Sequence, residues 1–249
     1  MGGGNRYTYA EVISNQHGKY SGDIVIPSTV GYEGKTYSVT SIGWGAFERC
    51  TSLTSVSIPE SVTSIGGRAF AYCISLTSVD ISQAYLTIQD EAFLACSSLT
   101  SISIPEGVTD IGERAFAYCT SVTTIDLPSC IRGIGNDSFD GCISVTTVIC
   151  RAEKVPTGGP GFGWNWPREA TLYVPTSAIG AYKGSELWER CFGTILPLEE
   201  YETGIDTPAA LQPDEAAATA APYYTLGGQR VNAPVRGHIY IRRGRKVIY

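Results

Sequence analysis

Four columns of apolar residues recur along the chain at a step of 23 residues. Ile42, Ile65, Ile88, Ile111 and Ile134 form the first, and Phe47, Phe70, Phe93, Phe116 and Phe139 the second. Cys50, Cys73, Cys96, Cys119 and Cys142 form the third, and Leu53, Leu76, Leu99, Val122 and Val145 the fourth. Four columns kept in phase over five copies mark one structural unit used repeatedly. Alternation from Thr100 to Ile104 predicts a strand with Ile102 and Ile104 inward, and Pro105 stops it because proline cannot donate to a ladder. Val108-x-x-Ile111-Gly112 predicts a second short extended segment. Ala115-Phe116-x-x-Cys119 predicts one helical turn, which places Phe and Cys on one face.

One such unit cannot bury its own apolar residues, so the units must stack, about 4.8 Å apart. The expected fold is therefore a β-rich repeat solenoid of 23-residue units with short helical turns. Pro59, Pro105 and Pro128 mark strand ends in the regular copies. Tyr173-Val174-Pro175 and Ile195-Leu196-Pro197 extend the count downstream, and Ile24-Val25-Ile26-Pro27 extends it upstream, with extra residues around Gly31 to Val39. About eight rungs result, roughly 34 Å of stacked sheet. Arg6 to Ile13 and the turn Asn15-Gln16-His17-Gly18 read as a hairpin capping the first rung. A short helix opened by Ser177 and running through Ala181, Tyr182, Leu187 and Trp188 is expected to plug the last one. The repeat domain with its caps is assigned to residues 5–199.

The composition changes to Ala, Thr, Pro and acids from Glu202 to Pro222, so residues 200–222 read as a linker. Residues 223–249 read as a small β element, with Ile239–Arg242 and Lys246–Tyr249 pairing as a hairpin. This tail holds Arg230, Arg236, Arg242, Arg243, Arg245 and Lys246 and no acid, in a chain whose net charge is −6. Two readings stay open for it: a solvated basic hairpin, or docking to an anionic cell-envelope surface or to the acidic body of the same chain.

The unit Ile104-Pro105-x-x-Val108-Thr109-x-Ile111-Gly112-x-x-Ala115-Phe116-x-x-Cys119-x-x-Val122 resembles the BspA-like leucine-rich repeat. Gly22-Asp23-Ile24-Val25-Ile26-Pro27 with Tyr32 to Tyr37 is similar to the entry of these domains. Ala170 to Pro175 with Ala181-Tyr182-Lys183 and Trp188 is similar to their exit. The tail, Leu226-Gly227-Gly228-Gln229-Arg230-Val231 with Gly237-His238-Ile239-Tyr240-Ile241, resembles C-terminal segments of secreted proteins of gut and oral anaerobes, some of which are sorting signals. The resemblance implies a secreted or cell-surface protein that adheres to host or bacterial macromolecules. It brings no catalytic residues with it.

The overall acidic charge removes the basic excess of a nucleic-acid binder. No run of 18 apolar residues is present to span a membrane. The start, Met1-Gly2-Gly3-Gly4, has no signal-peptide pattern and leaves location undecided. The five periodic cysteines occupy one buried phase and Cys150 occupies the phase of Ile104, so all six read as core filler. Cys130 and Cys191 lie outside the periodic positions, and a bridge involving either stays open. No metal-ligand spacing, GxSxG or HExxH occurs, and His17 and His238 lie at opposite ends of the chain. Gly34-Lys35-Thr36 lacks the first glycine of a phosphate loop. No enzyme activity and no cofactor are expected.

One polar surface recurs. Thr54, Ser55 and Ser57, then Thr77, Ser78 and Asp80, then Thr100, Ser101 and Ser103, then Thr123, Thr124 and Asp126 are expected on the outward face of successive strands. Two readings apply: a merely solvated sheet, or a binding face for a host matrix protein, a glycan or a bacterial surface partner. Trp44, Tyr72, Tyr118, Trp164 and Trp166 are further candidate contacts. The functional alternative is a structural cell-envelope protein without a dedicated ligand.

Overall fold

The computed structural model describes residues 9–14, 20–81, 86–157, 161–163 and 166–203, together with the backbone of 223–224, 230–231, 239–242 and 245–248. The strands of the solenoid form two faces. The first face holds β2 (Ser21–Val25), β5 (Ser52–Ile58), β7 (Ser78–Ile81), β9 (Ser101–Ser103), β11 (Thr124–Leu127), β13 (Thr147–Cys150), β14 (Thr171–Val174) and β15 (Thr194–Pro197). The second face holds β1 (Tyr9–Val12), β4 (Lys35–Ile42), β6 (Ser64–Ile65), β8 (Thr87–Ile88), β10 (Asp110–Ile111) and β12 (Gly133–Ile134), all parallel. The register is the sequence period itself: Ser55 pairs with Ser78, Thr124 with Thr147 and Ile65 with Ile88. The eight expected rungs are thus present on the first face, and about six turns cross both faces.

The core follows from the columns. Leu53, Ile65, Phe70, Cys73 and Leu76 are fully buried, as are their counterparts in neighbouring rungs. The Phe column forms a continuous stack, with Phe47–Phe70 ring centroids 4.9 Å apart and Phe70–Phe93 and Phe93–Phe116 5.1 Å apart. Phe139 and Phe162 continue it. Tyr20 closes one end against Phe47, while Trp166, Trp188 and Phe192 close the other against Phe162.

The expected helical turn is absent. Ala-Phe-x-x-Cys is instead a pair of tight turns, with positive φ at Arg68 and Tyr72, at Glu91 and Ala95, and at Arg114 and Tyr118. The N–H of Phe70 crosses to Ala92 O in the next rung, at 2.7 Å, so it is not available for a helical bond. The bonds that stay within the turn span three residues, from Ala69 N–H to Gly66 O at 3.2 Å, Ala71 N–H to Arg68 O at 3.0 Å and Cys73 N–H to Phe70 O at 3.2 Å. Every rung repeats this, which converts the loop edge into a third ladder of inter-rung hydrogen bonds.

Both ends depart from expectation. Tyr9–Val12 does not form a hairpin: β1 pairs with β4 on the second face, whereas β2 pairs with β5 on the first. The two strands are the arms of a first rung, and residues 15–19, including His17, lie outside the described residues. The extra residues around Gly31 build a hairpin of β3 (Thr29–Tyr32) antiparallel to β4, turned by Glu33 and Gly34 with φ of 48° and 73°. That turn pattern suits the twist of paired strands, and it places Gly34-Lys35-Thr36 in a hairpin. At the C-terminal end the single expected helix is two, α1 (Ile179–Lys183) and α2 (Glu186–Cys191), inserted between β14 and β15. They bury Tyr182 and Trp188 edge to face. A third helix, α3 (Leu198–Thr203), follows β15. In the tail, β18 (Ile239–Arg242) pairs with β19 (Arg245–Ile248), one residue earlier than expected. β16 (Tyr223–Tyr224) and β17 (Arg230–Val231) extend the pair to four antiparallel strands.

Among the described residues the first face is divided. β2, β5 and β7 form one sheet and β9 to β15 another, with β7 and β9 unpaired. Val79 and Ile81 on β7 are only half-buried, while their counterparts Val56, Ile58, Ile125 and Leu127 are fully buried. A small cleft lined by Ile81, Ile102, Phe93 and Phe116 reaches the core at this seam.

Candidate functional site

The recurring polar residues lie on the first face, but their roles differ by column. Thr77, Thr100 and Thr123 precede the paired part of their strands, Thr54 lies at the register shift inside β5, and all four are exposed. The Thr77 hydroxyl donates to Thr54 O at 3.0 Å, and Thr123 donates to Thr100 O at 3.3 Å. Thr146 continues the column by donating to Thr123 O. These hydroxyls bridge consecutive rungs, so this column is held by the fold.

Two columns remain open to an approaching ligand. The first is Ser55, Ser78, Ser101 and Thr124; the second is Ser57, Asp80, Ser103 and Asp126, with register fixed by the strand pairing on each side of the seam. Ser78, Asp80, Ser101 and Ser103 are exposed, and Ser55, Ser57, Thr124 and Asp126 are half-buried. Asp23 on β2 borders the face, accepting from Thr54 Oγ1 at 2.8 Å and Ser55 Oγ at 2.6 Å. Those two bonds, Ser55 first, hold its carboxyl below the usual carboxylate range. Sequence reading passed over Asp23, which pairs with Ser55, because the extra residues between β2 and β5 move it off the 23-residue step.

Asp126 is not a free charge on this face. Arg151 grips it through Nε at 3.1 Å and Nη2 at 3.2 Å, and reaches Glu202 on α3 through Nη1 at 2.8 Å. The bond to Asp126, then that to Glu202, raises the guanidinium pKa against the opposing effect of burial. Thr176 donates to Glu199 at 2.7 Å and the Tyr173 and Tyr201 rings lie 5.2 Å apart, so α3 is fixed at three points. It packs on β14 and β15. Along the second column the outward residue changes from Asp126 to Ile149, Tyr173 and Leu196 in the C-terminal strands. Ile149 is 2% exposed.

The other candidates fall in different places. Trp44 is 70% exposed on the edge of the second face. Tyr118 is exposed and its ring lies over Gly141. Tyr72 is flanked by the Arg49 and Arg68 guanidinium groups at 5.3 and 5.9 Å. Trp166 is buried in the C-terminal closure, and Trp164 and His238 lie outside the described residues. All eight cysteines are free, Cys130 and Cys191 among them, and the periodic five are buried with Cys150. Cys150 Sγ sits 3.2 Å from the Tyr182 hydroxyl, which donates to Ala152 O at 3.0 Å. Burial pushes up the Cys150 thiol and, with Cys150 beside it, the Tyr182 phenol. Among the described residues no group of three or more His, Cys, Asp or Glu is placed to hold a metal, and no helix is long and apolar enough to cross a membrane.

Residues 35–146, the regular copies, match the family described as BspA type leucine rich repeat region, in six copies. Residues 35–146 are BspA-type leucine-rich repeats. Solved structures of similar proteins come from several bacteria. A leucine-rich repeat protein of T. pallidum is 26% identical, over 71% of this chain and 69% of that one, with a TM-score of 0.49. The pneumococcal vaccine antigen PcpA is 15% identical over 70% of this chain and 41% of its own, with a TM-score of 0.56, and shares the fold. A leucine-rich cell surface protein of Faecalibacterium prausnitzii is 22% identical, over 77% of this chain and 69% of that one, with a TM-score of 0.41. No curated protein sequence matches the chain at a significant level.

Proposed function

We propose that this protein is a secreted or cell-surface, non-enzymatic binding protein that adheres to a host matrix protein, a glycan or a bacterial surface partner. The contact surface in this reading is the uncovered part of the first face, from β5 to β11. The observation that carries it is the contrast along one column. On β14 and β15, where α3 packs, and on the adjacent β13 the outward residues are Tyr173, Leu196 and Ile149, and where no described helix packs on the sheet they are Ser57, Asp80 and Ser103. Small hydroxyls and a lone carboxylate on a rigid sheet present hydrogen-bonding groups with little side-chain entropy to lose on binding. Asp23, the carboxylate that accepts from Ser55, has a lowered pKa and is a correspondingly weak base toward that hydroxyl. Export rests on the resemblance of the tail to C-terminal segments of secreted proteins.

The test is a screen of the full chain against immobilised matrix proteins and a glycan array, followed by Ser78→Arg/Ser101→Arg on any ligand found. Two bulky cations at the centre of the face should weaken binding about tenfold or more, with an unchanged melting temperature. Undiminished binding by the double variant would move the contact surface elsewhere. No ligand in the screen, together with co-fractionation with the envelope, would favour a structural envelope protein.

A further inference from the structure

The second face carries a concavity of different chemistry, a groove of about 700 Å³ running across the rungs from Trp44 to Glu113. Glycines create it. A Cβ at Gly67 would lie 3.2 Å from Trp44 Cδ1, so the indole rests on the bare backbone there, yet Trp44 remains 70% exposed. A Cβ at Gly112 would fall 2.5 Å from the Asp90 backbone nitrogen, so the chain at that point closes in only because the side chain is missing. Below Trp44, Gly67 N–H is bound by Gln89 Oε1 at 3.1 Å.

The walls beyond Trp44 carry carboxylates that are held but not neutralised. Asp90 Oδ1 accepts the Glu113 N–H at 2.8 Å and Asp110 Oδ2 accepts the Thr109 hydroxyl at 2.8 Å. Arg68 is the one cation in the lining, and it is already engaged by Glu48 at 2.7 Å and Glu91 at 2.8 Å, with Arg114 also reaching Glu91 at 3.5 Å. Asp90, Asp110 and Glu113 have no ion pair among the described residues. An exposed indole beside oriented, uncompensated carboxylates is complementary to a cationic side chain, which gains from the ring face and from charge-assisted hydrogen bonds together. An acidic ligand would be repelled, and a neutral one would leave the three charges unanswered.

We infer that this groove binds an extended basic peptide segment of a partner protein, with one Lys or Arg against Trp44 and another between Asp110 and Glu113. Trp44 and Glu113 belong to rungs three steps apart, about 14 Å, and an extended chain covers that in about four residues. The site is separate from the hydroxyl-rich first face and does not depend on the reading given to it.

Fluorescence anisotropy of the full chain with labelled (Lys-Gly)5, compared with (Gln-Gly)5 and (Glu-Gly)5, tests this. The lysine peptide should bind and the other two should not. Trp44→Leu, which leaves net charge unchanged, should weaken binding about fivefold, and Asp110→Asn/Glu113→Gln about tenfold or more. Glu153→Gln/Glu169→Gln, which removes two charges from exposed positions outside the groove lining, should change it little. Equal losses in the two double variants would mean that only the overall negative charge attracts the peptide, and would overturn the site. So would an unchanged affinity in Trp44→Leu with melting temperature preserved. Binding of a neutral oligosaccharide that Trp44→Leu abolishes, with no binding of the lysine peptide, would reassign the groove to sugars.

Discussion

The Sγ atoms of Cys73, Cys96, Cys119 and Cys142 lie 3.1, 3.2, 3.4 and 3.3 Å from the carbonyl oxygens of Phe47, Phe70, Phe93 and Phe116 in the preceding rungs. The thiol donates, so the column is both a small core filler and an inter-rung hydrogen bond. A thiolate there would lose the bond and sit unsolvated, and burial accordingly drives Cys96 and Cys119 well above the ordinary value of 9.0. For a thiol whose folded pKa is raised, the unfolded chain loses its proton first. The associated stability is therefore present below the unfolded value, about 8.5, and is lost as pH rises beyond it. The urea midpoint should be flat from pH 7 to 8 and fall by pH 10, and Cys96→Ala/Cys119→Ala should show a shallower fall while starting from a lower midpoint. Identical slopes in the two proteins would place the alkaline sensitivity in other groups. This much was legible in the sequence: a column of identical residues at one phase is a core slot, whatever the residue. What the spacing left out was direction. Side chains three apart meet in a helical turn and in a pair of tight turns alike, and the positive φ at Arg68 and Tyr72 and the inter-rung bond from Phe70 N–H to Ala92 O distinguish them.

Among the elements, α3 differs from the others in making its contacts chiefly through side chains near the chain's exit from the solenoid. Its hold on β14 and β15 depends on Arg151, which links Asp126 to Glu202. Replacing Arg151 by Met should free α3 and leave Asp126 half-buried without its cation. The predicted result is about tenfold faster amide exchange in residues 198–203 with little change in β11, since exposed and half-exposed pairs contribute on the order of 1 kcal/mol. Unchanged exchange in that helix would show that the Tyr173–Tyr201 contact and Thr176–Glu199 bond suffice to hold it. The sequence located the strands of this region but not their cover: Arg151 stands at a phase elsewhere occupied by proline, and its acid partners lie 25 and 51 residues away. The same blindness to partners made β1 look like half of a hairpin. Its alternating residues identify a strand, yet the strand it pairs with, β4, lies beyond β2 and β3 in the chain. It also made the Thr77 and Asp126 side chains look equally available, when one is tied to a backbone carbonyl and the other to a guanidinium.

At the scale of the whole molecule, stability in a solenoid is close to a sum of rung and neighbour terms, so a single weak interface decides whether it unfolds as one body. That interface is the seam between β7 and β9, where the first-face ladder is interrupted. The two sides remain joined by β6-β8-β10 on the second face, by the loop-edge ladder and by the Phe stack, in which Phe93 stands 5.1 Å from both Phe70 and Phe116. Phe93 also lines the cleft at the seam. Truncating it opens a cavity where the ladder already lacks hydrogen bonds, at a cost of about 3–5 kcal/mol. Wild-type protein should lose amide protection in β5–β7 and in β11–β13 at the same urea concentration. In Phe93→Ala the three-strand side, with fewer neighbours to support it, should lose protection first and the five-strand side should follow at higher urea. Phe139→Ala, in the turn between β12 and β13 and away from the seam, should lower stability without separating the two transitions. If Phe93→Ala also unfolds in a single step, the second-face strands and the loop-edge ladder carry the coupling between the two sides without the Phe stack.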